Sequence, residues 1–266
     1  MADSGETSSV PGVDTGTPSV ARMYDYFLGG KDNYASDRAA AEAVAQALPT
    51  VEGVARANRA FLQRAVRYVA GRGIDQFLDI GTGLPTQGNV HEIARVERPG
   101  ARVAYVDNDP MVTVHARALV ATDELTTIVQ ADMREPDTVL DDPQVHALID
   151  FRRPLCVLFV AVLHFLHDEE DPAGLVRRFT DALPAGSHVI LSHAALEEQR
   201  NVRVGETYRS QAASASLVAR TREQVAALLD GLTIVDPGVV RLHEWRPYGG
   251  EYITNAGWTA VARKDG

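Results

Sequence analysis

From residue 74 onward, short apolar runs alternate with segments of helical spacing, five times in succession. The runs are "IDQFLDI", "ARVAYVD", "LTTIVQAD", "PLCVLFVAVLHF" and "GSHVILSHA". Between them stand "QGNVHEIARVERPG", "PMVTVHARALVA", a turn-rich stretch with short helical pieces up to residue 150, and "DPAGLVRRFTDAL". Apolar strands that are each followed by a helix bury both faces only in a parallel sheet covered on two sides, so the fold class is α/β. Two later runs, "LTIVD" and "AGWTAVARK", bring the expected sheet to seven strands, mostly parallel with an antiparallel edge strand. Thr221 and Gln224 form a capping-box pattern that starts a helix between them and the fifth run.

Ahead of the first strand, residues 18–73 read as a helical cap. "ASDRAAAEAVAQAL" offers Ser36 as an N-cap, and "VARANRAFLQRAVRYVAGRG" repeats Val54, Phe61, Leu62, Val66 and Val69 at helical spacing until Gly71 and Gly73 end it. Residues 1–17, rich in Ser, Thr, Gly, Pro and acid, bury too little surface to offset chain entropy and are expected to be a disordered tail. Residues 74–266 form the main domain, with a helical insertion expected at 195–220. No basic leader and no run of about 18 apolar residues is present, so the expectation is a soluble cytoplasmic protein without a membrane partner.

Composition narrows the function. A net charge of −10 offers no general grip on phosphate backbones, and no nucleic-acid partner is expected. The single cysteine, Cys156, lies inside an apolar run and leaves no multi-cysteine metal site; no metal is expected.

Ligands of open α/β sheets bind at the carboxyl ends of the strands, where strand order reverses. After the first strand, "DIGTGLPT" places Asp79, Gly81, Thr82 and Gly83 in a turn that lets a ligand approach the backbone. Asp107 ends the second strand, where a carboxylate can accept both hydroxyls of a ribose, and Asp132 ends the third. Asp109, before Pro110, reads as a helix cap. An acid two residues before Gly81 repels a pyrophosphate and accepts a cation, so a nicotinamide-dependent oxidoreductase is disfavoured.

"FLDIGTG", "AYVDNDP" and "QADMR" resemble the successive motifs of class I S-adenosylmethionine-dependent methyltransferases. "YDYFLGGKDNYASDR", "QFLDIGTGLPTQGNVHEIA" and "VLFVAVLHFL" resemble the actinobacterial S-adenosyl methyltransferase family, over about residues 19–264. The resemblance implies a Rossmann-like, doubly wound sheet under an N-terminal helical lid, with S-adenosyl-L-methionine as cofactor. It also implies that Gly81 and Gly83 lie against the methionine part and that Asp79 faces its amino group. Asp107, with Asn108 beside it, would take the ribose hydroxyls. Asp132 would accept the adenine amine, and Met133 would pack on the ring. Arg22, Lys31 or Arg59 is the expected partner of the cofactor carboxylate. Leu84 and Pro85 stand near where the general class has a third glycine.

Gly29 and Gly30 are expected to reverse the chain and set Lys31, Asn33 and Tyr34 over the opening. The acceptor is expected to be a small molecule, methylated on oxygen or nitrogen. His164 is the candidate general base, with His167 second, and Tyr24, Tyr26 and Trp245 are candidate pocket walls. The alternative function is a cofactor-binding sensor without transferase activity.

Overall fold

A computed structural model describes residues 14–85, 88–120, 123–195, 206–207, 210 and 216–266. Three helices come first: α1 (Val20–Phe27), α2 (Ala35–Ala47) and α3 (Val51–Gly71). The α/β part then runs β1 (Gln76–Ile80), α4 (Val90–Glu97), β2 (Arg102–Asp107), α5 (Pro110–Val120), β3 (Thr126–Gln130), α6 (Pro136–Leu140), α7 (Pro143–Leu148), β4 (Cys156–Val160), α8 (Pro172–Asp181) and β5 (His188–Ala194). It closes with α9 (Arg222–Ala227), β6 (Thr233–Ile234), β7 (Val240–Arg241) and β8 (Gly257–Arg263).

The strand order is β3-β2-β1-β4-β5-β8-β6, with β7 also paired to β8. β1 to β5 are parallel, and β8 is antiparallel to β5, β6 and β7. The sheet is doubly wound as expected, with two differences. Among the described residues it has eight strands, because the two-residue β7 carries no pattern long enough to read, and the long antiparallel strand lies inside the edge formed by the short β6 and β7.

Alternation along each strand sorts side chains to two faces. Leu78, Val157, Phe159, Val189 and Leu191 pack with α6 to α9, whereas Phe77, Cys156, Leu158 and Ile190 pack with α3 and α4. Asp79 shares the face of Phe77 and so lies on the α3 side. Order reverses between β1 and β4, which puts the switch point beside Gly81.

The helical cap has a small core of its own: Met23 and Phe27 from α1, Ala40, Ala41 and Val44 from α2, Leu48 and Ala55. Its central polar contact is Asp37, fully buried, whose carboxylate accepts the N–H of Ser19 (2.9 Å), the N–H of Tyr34 (2.8 Å) and Nε of Arg22 (2.9 Å). Tyr34, and not Ser36, is therefore the N-cap residue of α2. Ser36 lies in the first turn and donates to the Thr15 carbonyl, while Nη2 of Arg22 donates to the carbonyls of Asp14 and Thr17. Asp14 to Thr17 are thus tied to the cap, and the rest of the expected tail lies outside the described residues, as does most of the expected 195–220 insertion.

Removing one partner of a buried ion pair strands the other charge. Asp37→Ala should lower the unfolding free energy by about 3–5 kcal/mol in urea denaturation, because it also leaves two backbone N–H groups unpaired. A loss below about 1 kcal/mol would contradict this role for Asp37.

Candidate functional site

The turn after β1 depends on Gly81. Its φ is +70°, and a Cβ there would collide with the side chain of Val162, which follows β4. The β1 and β4 loops therefore touch at this residue. Gly83 (φ +68°) has open space where a Cβ would stand and lines a cavity of about 560 Å³.

The cavity lies over the carboxyl ends of β1 to β5 and under α1 to α3. Asp79 and Asp107 are buried in its wall. Burial pushes Asp79 up to about 7, against the hydroxyl of Thr82 and the charge of Arg59, which favour its ionised form. Burial likewise raises Asp107 to about 6, although Gly83 N–H (2.9 Å) and Asp109 N–H (2.9 Å) each donate to one of its oxygens. Each carboxylate keeps lone pairs for a ligand. Asp132 is more exposed; burial alone would raise it, but the N–H and guanidinium of Arg134 and the amide of Asn108 (3.2 Å) hold it below the usual range. Met133 also lines the cavity.

Of the three expected cations, Arg59 lines the cavity close enough to act on Asp79, and its Nη2 also donates to the Gly88 carbonyl (3.0 Å). Arg22 lines the cavity as well, but its guanidinium is committed to Asp37 and two carbonyls. Lys31 is exposed and not part of the lining.

The Gly29–Gly30 turn does reverse the chain, with φ +80° at Gly29, but it does not set Lys31, Asn33 and Tyr34 over the opening. Buried Asp25 turns them elsewhere. Its carboxylate accepts Asp32 N–H (3.0 Å) and Asn33 Nδ2 (2.9 Å), and a Cβ at Gly30 would collide with it. Tyr34 packs against Leu84 and Met111 and lies 5.4 Å below the Arg22 guanidinium.

Among the candidate pocket residues, Tyr24 and His164 line the cavity, whereas Tyr26, His167 and Trp245 do not. The Tyr26 hydroxyl faces Glu42, and His167 is exposed beside the Ser216 hydroxyl. Trp245 is fully buried behind α3, edge-on to Phe61 and Tyr68. It is held there because buried Arg64 donates to the carbonyls of Leu242 (2.6 Å) and Trp245 (2.8 Å).

Residues that the sequence reading passed over also shape the site. Tyr24 O–H donates to the Ala55 carbonyl (3.2 Å) and accepts from Asn58 Nδ2 (3.0 Å), and Asn58 Oδ1 accepts from Ser192 Oγ (2.6 Å). Ser192 and His193 end β5, a rim position of the same kind as Asp79 and Asp107. Asn58 and Arg64 are the polar residues among the buried side chains of α3.

The sequence profile of the S-adenosyl methyltransferase family matches residues 6–265. The chain belongs to this family. It is an S-adenosylmethionine-dependent methyltransferase. A solved DUF574 family protein of Streptomyces avermitilis is 39% identical, with TM-score 0.88 over 94% of this chain and 99% of that one. A candidate methyltransferase of Thermobifida fusca is 38% identical, with TM-score 0.91 over 96% of this chain and 98% of that one. Human N-acetylserotonin methyltransferase, solved with S-adenosylmethionine, shares the fold at 16% identity and TM-score 0.51, over 94% of this chain and 64% of that one. No curated protein matches. The site fits the cofactor: two buried carboxylates with unspent lone pairs suit a ligand bearing a cation and hydroxyls, and Gly83 leaves it room.

A raised folded-state pKa makes a carboxyl group favour the fold below about pH 4, and that contribution is lost as pH rises through about 6 for Asp107 and about 7 for Asp79. An ammonium group set against Asp79, as the resemblance implies for the cofactor, would reverse part of this and expel a proton. Affinity for S-adenosylhomocysteine should therefore rise with pH, by up to about tenfold per unit between pH 5.5 and 7, and level off near pH 8. Calorimetry in buffers of different ionisation enthalpy counts the released proton; flat affinity with no proton released would contradict the assignment.

Proposed function

We propose that the enzyme methylates a small molecule held in the apolar half of the cavity, beneath the lid. The observation that carries this is the division of the chamber. At the β1 to β3 end stand Asp79, Gly83, Asp107 and Asp132, and toward the lid stand Phe27, Val44, Leu48, Val51 and Val54. A volume of about 560 Å³ suits small ligands, whose sites span about 300–1,000 Å³. With a net charge of −10, nothing about the chain favours a nucleic-acid acceptor.

The placement of the rim residues along one cavity supports the roles that the family resemblance implies for them. Asp79 pairs with the cofactor's ammonium, and Arg59, which lines the cavity near Asp79, pairs with its carboxylate. Asp107 takes the ribose hydroxyls, with Asn108 holding Asp132 toward the adenine amine and Met133 against the ring. Bound S-adenosylmethionine supplies an electrophilic methyl group on a sulfonium. The chain's own residues orient the acceptor and exclude water, and the apolar lid side chains do both. Among the described residues, no helix is long and apolar enough to cross a membrane.

Asp107→Ala should weaken S-adenosylhomocysteine binding by about 1–3 kcal/mol, the range for hydrogen bonds to a charged group, in a variant that keeps its fold by circular dichroism. Unchanged affinity would remove Asp107 from the cofactor site. For the acceptor, labelled S-adenosylmethionine incubated with the enzyme and an actinobacterial extract should place label in the low-mass fraction. Label confined to protein or nucleic acid would overturn the small-molecule reading.

A further inference from the structure

The titratable groups along the cavity are unevenly placed. Its carboxylates belong to the ends of β1, β2 and β3, to Asp109 and to the bend at Asp14. At the β4–β5 end, next to the apolar half, the bases are His164 and His193. How their ring protons are placed decides what that wall can do to an acceptor.

Buried Arg220 sets the first proton. A guanidinium only donates, so its contact with His193 Nε2 (2.9 Å) makes that nitrogen the acceptor. His193 then carries its hydrogen on Nδ1, which donates to the Ala194 carbonyl (2.8 Å). The N–H of the same Ala194 donates to Nδ1 of His164 (3.2 Å), so His164 carries its hydrogen on Nε2. His164 is 8% exposed, lines the cavity, and its Nε2 has no partner among the described residues. Arg220 also donates to the carbonyls of Leu163 (3.4 Å) and Leu166 (3.0 Å), which fixes the turn bearing His164, and pairs with Asp168 (2.6 Å).

Both rings are kept neutral. Burial, with His193 and Arg220 close by, holds His164 well below the usual histidine range, and burial brings His193 down to about 4. The basic nitrogen of His164 is already spent on Ala194. What the wall presents is an N–H donor backed by a guanidinium charge, which is the reverse of the general-base role that the sequence suggested. Among the described residues, the rest of the wall adds no base. The Ser192 and Tyr24 hydroxyl hydrogens are spent on Asn58 and Ala55, and Asn58 keeps a second amide hydrogen.

We infer that His164 donates from Nε2 to an anionic oxygen of an apolar organic acid, and that this oxygen is methylated as the anion without a general base. This rests on the small-molecule methyltransferase reading. In the step, an oxygen lone pair forms the O–CH₃ bond, the S–CH₃ bonding pair stays on sulfur, and a carboxylate and a sulfonium become a neutral ester and a thioether. No proton is taken up or lost. An apolar chamber favours a step that cancels two opposite charges. His164 is the substrate contact; His193 and Arg220 are positioning residues.

The test uses the protein loaded with S-adenosylhomocysteine and three isosteric probes: 2-naphthoate, 2-naphthylmethanol and 2-naphthylmethylamine. 2-Naphthoate should bind tightest. His164→Leu should weaken it by about ten- to hundredfold, and His164→Gln, whose amide nitrogen restores a donor but no base, should recover most of the loss. Long-range ¹⁵N NMR on the wild-type protein reads the ring protons independently of any ligand: His164 should carry Nε2–H and His193 Nδ1–H at pH 7. A His164 Nδ1–H tautomer, or preference for the amine or alcohol, overturns the donor assignment while leaving the small-molecule reading standing. If none of the probes binds a protein that does bind S-adenosylhomocysteine, the apolar-acid acceptor falls, while the small-molecule reading stands or falls by the labelled-methyl assay.

Discussion

One chain of hydrogen bonds joins the rim of the sheet to the lid, and the site exists because of it. Gly83 N–H and Asp109 N–H donate to Asp107, and the Asp109 carboxylate accepts the Ser19 hydroxyl at 2.5 Å. Ser19 N–H donates in turn to Asp37, which holds Arg22 and the start of α2. The Asp107 carboxylate, proposed to take the ribose hydroxyls, is thus three contacts away from Asp37. Asp79 and Asp107 are buried beneath this roof, and burial makes their ionised forms unfavourable until a cation or hydroxyl donors arrive.

Much of this was legible in the sequence wherever a pattern is local. Five strands were readable because each is a nearly continuous apolar run, and the acids Asp79, Asp107 and Asp132 stood out because they lie at the ends of the first three. β7, two residues long, had no periodicity to read. The rim rule was applied to the first four strand ends and not to the fifth, which is why Ser192 and His193 were passed over.

Other misses have a common cause in distant partners. Trp245 looked like a pocket wall because aromatics suit such walls, but Arg64, far away in the chain, draws the 242–245 turn behind α3. Lys31 and Tyr34 looked like lid residues, and buried Asp25 faces them elsewhere. His164 was found by position, but its ring proton is placed by the Ala194 N–H and its turn is held by Arg220, contacts with no sequence signature. Where a side chain lies was often readable; which way its polar atoms face was not.

The central claim is that rim and lid enclose one chamber and respond to the cofactor as one unit. Amide hydrogen exchange with and without S-adenosylhomocysteine tests it directly. With S-adenosylhomocysteine bound, protection should rise at the rim amides of Gly81 to Gly83 and Asp107 to Asp109, and equally from Met23 in α1 through the turn at Gly30 and around Asn58 in α3. Protection confined to the rim, with the lid exchanging as in the free protein, would contradict it.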